Sequence, residues 1–111
     1  MFNRLNAYRI MWVFVMFDLP TTSKLETRRA SKFRDGLIKN GFAMFQYSLY
    51  IRHCSSRENA MVHVRRVKSI IPPDGHVCIF ELTDKQFGMM EIFRNVKKVS
   101  KPKDVMQLEL F

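Results

Sequence analysis

Cysteine is scarce in this chain, acid is outnumbered by base, and no apolar stretch is long. Cys54 and Cys78 are the only cysteines among 111 residues, and they form no close-spaced pair. That excludes a disulfide-built scaffold and fits reduced thiols in a cytoplasmic protein. A zinc site drawn from Cys54, Cys78, His53, His63 and His76 would have to gather scattered residues, since none of them has ligand spacing. The longest unbroken apolar run, IMWVFVMF at residues 10–17, has eight members, far below the roughly 20 that a membrane span needs. It follows a basic segment, MFNRLNAYR, as a secretory core would. Asp-Leu-Pro comes next, however, where a cleavage site of small residues would be required. A buried strand is the better reading. Internal repeats and low-complexity tracts are also missing.

What is present is enough apolar material, 47% of residues, for one packed core. Lys and Arg number 19 against 10 acids, for a formal net charge of +9. So large an excess on a small domain implies an anionic partner, nucleic acid ahead of a membrane surface.

Residues 10–17 put Met11, Val13, Val15 and Phe17 on one side and Ile10, Trp12, Phe14 and Met16 on the other. Such a strand demands cover on both faces. Pro20 and the Thr-Thr-Ser after it open a helix, with Ser23 and Glu26 spaced as a capping box and Asn40-Gly41 as its stop. Ala30, Phe33 and Leu37 form its core stripe, and Arg28, Arg29, Lys32 and Lys39 fall largely outside it. GFAMFQYSLYIRH, 41–53, is strand with a bend near Gln46 to Ser48. SSREN starts a second helix, with a stripe of Ala60, Val64, Val67 and Ile71, and Pro72-Pro73-Asp74-Gly75 ends it. HVCIFELT, 76–83, is another strand, and MEIFRNV, around 90–96, a short further one. KKVSKPK has the composition of a basic linker, and VMQLELF alternates like an edge strand. The expected division is a domain over 1–96 and a linker with a strand-like tail over 97–111.

The order matches the α+β, ferredoxin-like βαββαβ pattern, a split βαβ sandwich with a C-terminal edge strand. Two helices cover only one face of its antiparallel sheet. The apolar second face of the first strand therefore predicts a homodimer packed sheet to sheet about a twofold axis.

The apolar run ends on Asp18. An aspartate just past a strand commonly bonds the amides of the following turn. Equally, Mg²⁺ often binds through one or two carboxylates, with waters and substrate phosphates completing its shell. A twofold copy would bring a second Asp18 to the same ion.

VMFDLPT at the end of the first strand, the basic helix containing ETRRASKFR, GFAMFQYSLYIR and the DKQF segment together resemble CRISPR-associated protein 2. The likeness covers nearly the whole chain and is greatest to members from type II systems. It implies a ferredoxin-like homodimer working in CRISPR spacer acquisition, bridging two dimers of the integrase, CRISPR-associated protein 1, and holding double-stranded DNA across its body. It also implies a metal-dependent endonuclease, a hydrolase acting on RNA or DNA, with Asp18 as the catalytic magnesium ligand. Ser48 and Arg52 fall in the matching second-strand region without a defined role.

For DNA, the candidate phosphate contacts are Arg28, Arg29 and Lys32 on the first helix, Arg65 and Arg66 on the second, and Lys97 and Lys98 near the linker. Each is either a phosphate contact, which supplies affinity without reading sequence, or an ordinary solvated charge. For hydrolysis, the sequence shows no second ligand, general base or catalytic histidine motif beside Asp18. The competing class is an RNA-binding or toxin-like ribonuclease domain of the same fold outside CRISPR adaptation. Phe45, Tyr47 and Tyr50 supply rings for it, but the glycine-rich RNA-recognition motif is absent. The tail either completes its own sheet or adds a strand to the sister subunit or the integrase.

Overall fold

The computed structural model describes residues 9–101; the alternating tail at 105–111 lies outside the described residues. Strand β1 (Met11–Asp18) is central, with β3 (Leu49–Cys54) antiparallel on one edge and β4 (His76–Thr83) antiparallel on the other. Strand β2 (Ala43–Gln46) pairs with β3, giving the order β2-β3-β1-β4. Helices α1 (Lys24–Lys39) and α2 (Arg57–Lys68) complete the ferredoxin-like pattern. No helix among the described residues is long and apolar enough to cross a membrane.

The odd residues of β1, Met11, Val13, Val15 and Phe17, join Phe33 and Leu37 of α1 and Ala60 and Val67 of α2 in the main core. Helix α1 starts where its chemistry dictates. The Ser23 hydroxyl accepts from the Glu26 amide, and Glu26 Oε1 accepts from the Ser23 amide, each at 3.1 Å. Hydrogen bonds to the Glu26 carboxylate, led by that from the Thr22 hydroxyl, hold its pKa below the usual value. Gly41, with φ of 85°, lets the chain turn back after the helix, a conformation that costs glycine little. Arg52 then ties the helix end to the sheet, since its Nε donates to the Asn40 carbonyl at 2.7 Å. That contact gives Arg52 a structural role.

Four expectations change. The bend in 41–53 is a two-residue turn, Tyr47-Ser48, with Ser48 at φ of 64°. Ile71 lies beyond the end of α2 and is exposed, while His63 is buried within the stripe. Burial, reinforced by the Arg52 and Arg66 charges, pushes the His63 pKa down. Lys97–Val99, expected as the start of a linker, forms strand β6 paired with β5 (Ile92–Arg94). Asn95 and Val96 between them both have positive φ, the twist that two-residue hairpins favour.

The fourth change concerns the second face of β1. DKQF folds as a short helix, α3 (Asp84–Gly88), capped by Thr83 and Gln86. Its Phe87 ring stacks on Trp12 with centroids 4.1 Å apart. Trp12 Nε1 donates to Asp84 Oδ1 at 2.9 Å, leaving Trp12 0% exposed. Half of the face expected to need a second copy is thus covered by the chain itself. The other half, toward Asp18, is not: Met16 is 48% exposed and Phe80 37%.

Truncating Phe87 to Ala should cost about 3–5 kcal/mol of stability. Because Trp12 is the sole tryptophan, its fluorescence should also shift to the red in the folded variant, a change that denaturant titration and an emission scan will read.

Candidate metal and nucleic-acid sites

Asp18 is the last residue of β1, and its place is set from three directions. The preceding amide, Phe17 N–H, donates to the Ser48 carbonyl at 3.0 Å. Leu19 and Pro20 then leave the sheet, as proline has no N–H for the ladder. The Pro72–Gly75 loop closes on the same point. Gly75 has φ of 95°, and a Cβ built there would lie 2.7 Å from the Asp18 carbonyl oxygen. Only glycine allows that approach.

Strand alternation puts the Asp18 side chain on the face of Trp12, Phe14 and Met16, away from α1 and α2. It is exposed. Its direct partner across the β1–β4 ladder is His76, also exposed, and the next pair on that face is Met16 with Cys78. Cys54 is buried in the helix-side core, where desolvation pushes its pKa up. The two cysteines therefore lie on opposite faces of the sheet, and the conceivable zinc site using both is excluded.

The basic residues of α1 and α2 lie on the helix side of the sheet. Arg28, Arg29 and Lys32 of α1, together with Lys39, line an open groove of about 650 Å³ floored by Ile70, Ile71, Pro72 and Pro73. Arg29 is partly engaged by Asp74 at 3.4 Å, an exposed pair of little energetic weight. Arg65 and Arg66 are exposed on α2, and Lys97 and Lys98 on β6. None of these except Arg29 forms a salt bridge among the described residues. The fold thus brings together the three candidates on α1 and leaves Lys97 and Lys98 on a separate two-stranded sheet. Of the rings proposed for RNA stacking, Tyr50 is in the core and Phe45 packs beside Phe14, while Tyr47 is exposed under the Arg34 guanidinium.

Residues 11–90 match the family described as CRISPR associated protein Cas2. The CRISPR-associated endoribonuclease Cas2 of Flavobacterium psychrophilum is 51% identical over 110 residues, covering 99% of this chain and 96% of that protein. This chain belongs to the Cas2 family. A second relative of the same name, from Parvibaculum lavamentivorans, is 43% identical over 101 residues, 91% of this chain and all of its own length. A Cas2 crystal structure superimposes with a TM-score of 0.53 at 22% identity, covering 82% of this chain and 95% of that one, which supports the fold.

Within this Cas2 scaffold, one chain places no group of three or more His, Cys, Asp or Glu side chains for a metal among the described residues. The Asp18 carboxylate at the end of β1 by itself still fits Mg²⁺, which takes few protein carboxylates and keeps water and phosphate oxygens. His76 entered the sequence reading only among the scattered zinc candidates, and its pairing with Asp18 is what the sequence did not point to. Its spacing from Asp18 is uninformative, and only the register beginning at the Gly75 turn makes them neighbours.

Replacing Gly75 by Ala should destabilise the protein by about 1–3 kcal/mol, from left-handed strain and the clash with the Asp18 carbonyl. Thermal melts will measure the loss, and NMR should show the largest amide shifts around Asp18 and His76.

Proposed function

We propose that this chain acts in CRISPR adaptation as a homodimer that bridges integrase dimers and holds double-stranded DNA on its basic helix side. A divalent ion, Mg²⁺ by family resemblance, binds at Asp18 for phosphodiester hydrolysis. The observation that carries this reading is the uncovered apolar stretch beside Asp18, where Met16 and Phe80 meet solvent. A sister sheet laid over Met16, Phe80 and Leu49 removes that surface from water. About a twofold axis it also brings the partner's matching carboxylate toward the first. The names of the relatives, endoribonucleases, support the hydrolytic part.

Each side of the sheet has its own task. Arg28, Lys32, Arg65 and Arg66 neutralise phosphates without reading bases. Asp18 would anchor the ion on the opposite face, at the edge of the apolar patch of Met16 and Phe80. When bound, the ion polarises the scissile phosphate and lowers the pKa of its water. Because the two sets of residues lie on opposite faces, holding DNA and hydrolysing a phosphodiester are separable.

Sedimentation at micromolar concentration should give a dimer for the wild type and a monomer for Met16→Glu/Phe80→Glu. A monomeric wild type would remove the reading. With the integrase co-expressed, Asp18→Ala should retain spacer acquisition and DNA binding while metal-dependent cleavage of RNA disappears. Acquisition lost alongside intact DNA binding would overturn the separation of tasks.

A further inference from the structure

The final rung of the β1–β4 ladder pairs a carboxylate with an imidazole. Asp18 and His76 are direct antiparallel partners, so their side chains leave the same face with Cβ atoms about 5 Å apart. Both are exposed. The rung cannot drift, because Gly75 is packed against the Asp18 carbonyl immediately before His76. Among the described residues the His76 side chain forms no hydrogen bond or ion pair, and its exposed ring is available. The other two histidines are not equivalent. His63 is buried in the helix-side core, and the His53 ring lies edge-on to Trp12 with centroids 5.0 Å apart.

We infer that His76 is a second protein ligand to the ion held by Asp18, and that the site accordingly prefers a first-row transition dication over Mg²⁺. The inference rests on the proposal that Asp18 binds a divalent ion. Its chemistry is that of the donor set. Mg²⁺ favours oxygen ligands and surrenders water reluctantly, whereas imidazole suits the later divalent metals and a carboxylate beside it still accommodates Mn²⁺. One chain supplies one nitrogen and one oxygen donor from these residues. The proposed twofold copy doubles both, and the remaining positions stay open to water and a phosphate oxygen. A metal site of Asp18 alone would have no reason to discriminate against Mg²⁺. One that includes His76 does.

The full chain loaded with Mn²⁺ tests this by pulsed electron paramagnetic resonance. The wild type should show nitrogen-14 modulation from a coordinated imidazole, and His76→Gln should lose it. By calorimetry, His76→Gln should weaken Mn²⁺ binding about tenfold or more, since even an outer-sphere partner of a metal ligand is worth that much, and leave Mg²⁺ binding within about twofold. His76 is exposed at a strand start, so His76→Asn serves as a second variant, with unchanged melting temperatures reporting intact folds. If Asp18→Asn abolishes Mn²⁺ binding while His76→Gln leaves affinity and spectrum unchanged, the inference about His76 fails and the assignment of Asp18 stands. If Asp18→Asn leaves Mn²⁺ binding unaltered, the metal site at the end of β1 fails, and the role of His76 with it.

Discussion

The double-sided burial of β1 is the constraint on which the rest of this protein depends. Met11 to Val15 are all buried, and the strand is paired along both edges, so its backbone groups are satisfied without water. Its two faces then impose two different demands. The odd residues need a helix layer and obtain it from α1 and α2. The even residues need a second cover and receive it in part, from Phe87 and Asp84 at the Trp12 end. Asp18 is where burial stops, and a carboxylate is tolerable there because that end of the sheet face is open.

Much of this was legible in the residues, because periodicity and end signals act locally. The apolar spacing of β1, the Ser23–Glu26 capping box and the Ala30–Phe33–Leu37 stripe are written in local spacing, and each appears as expected; helix α2 instead stops at Lys68, ahead of the Pro72–Gly75 turn expected to end it. What escaped depends on distant contacts. A five-residue helix such as α3 is too short to hold by propensity; it exists because Phe87 and Asp84 seat on Trp12. The β5–β6 hairpin escaped for a different reason. Its turn contains Val96 at positive φ, a conformation that a β-branched residue adopts at a cost, so the usual Asn-Gly signal was missing. Asp18 could be singled out as a carboxylate ending an apolar run. Its neighbour could not, since His76 meets it only through strand register.

The charge distribution has a similar two-sidedness. Arg28 and Lys32 border a groove whose floor is Ile70, Ile71 and the two prolines, on the helix layer, whereas Asp18 points away from that layer. A polyanion drawn to the helices is therefore separated from the acid by the thickness of the sheet, and the helix cations do not supply the counter-charge for Asp18. In the single chain, water solvates this exposed carboxylate instead.

In the proposed dimer that lack of a counter-charge would become acute. Two like charges brought together across a seam made dry by Met16 and Phe80 repel each other more strongly than they would in water, because the local dielectric falls. A shared cation reverses the sign of that term. Ion binding and subunit pairing would then be linked, each strengthening the other by the same free energy, as reciprocity between two equilibria demands. In that proposed dimer the apolar face and the carboxylate at its edge would be one device: the first would bring two acids together, and the ion would make their proximity favourable.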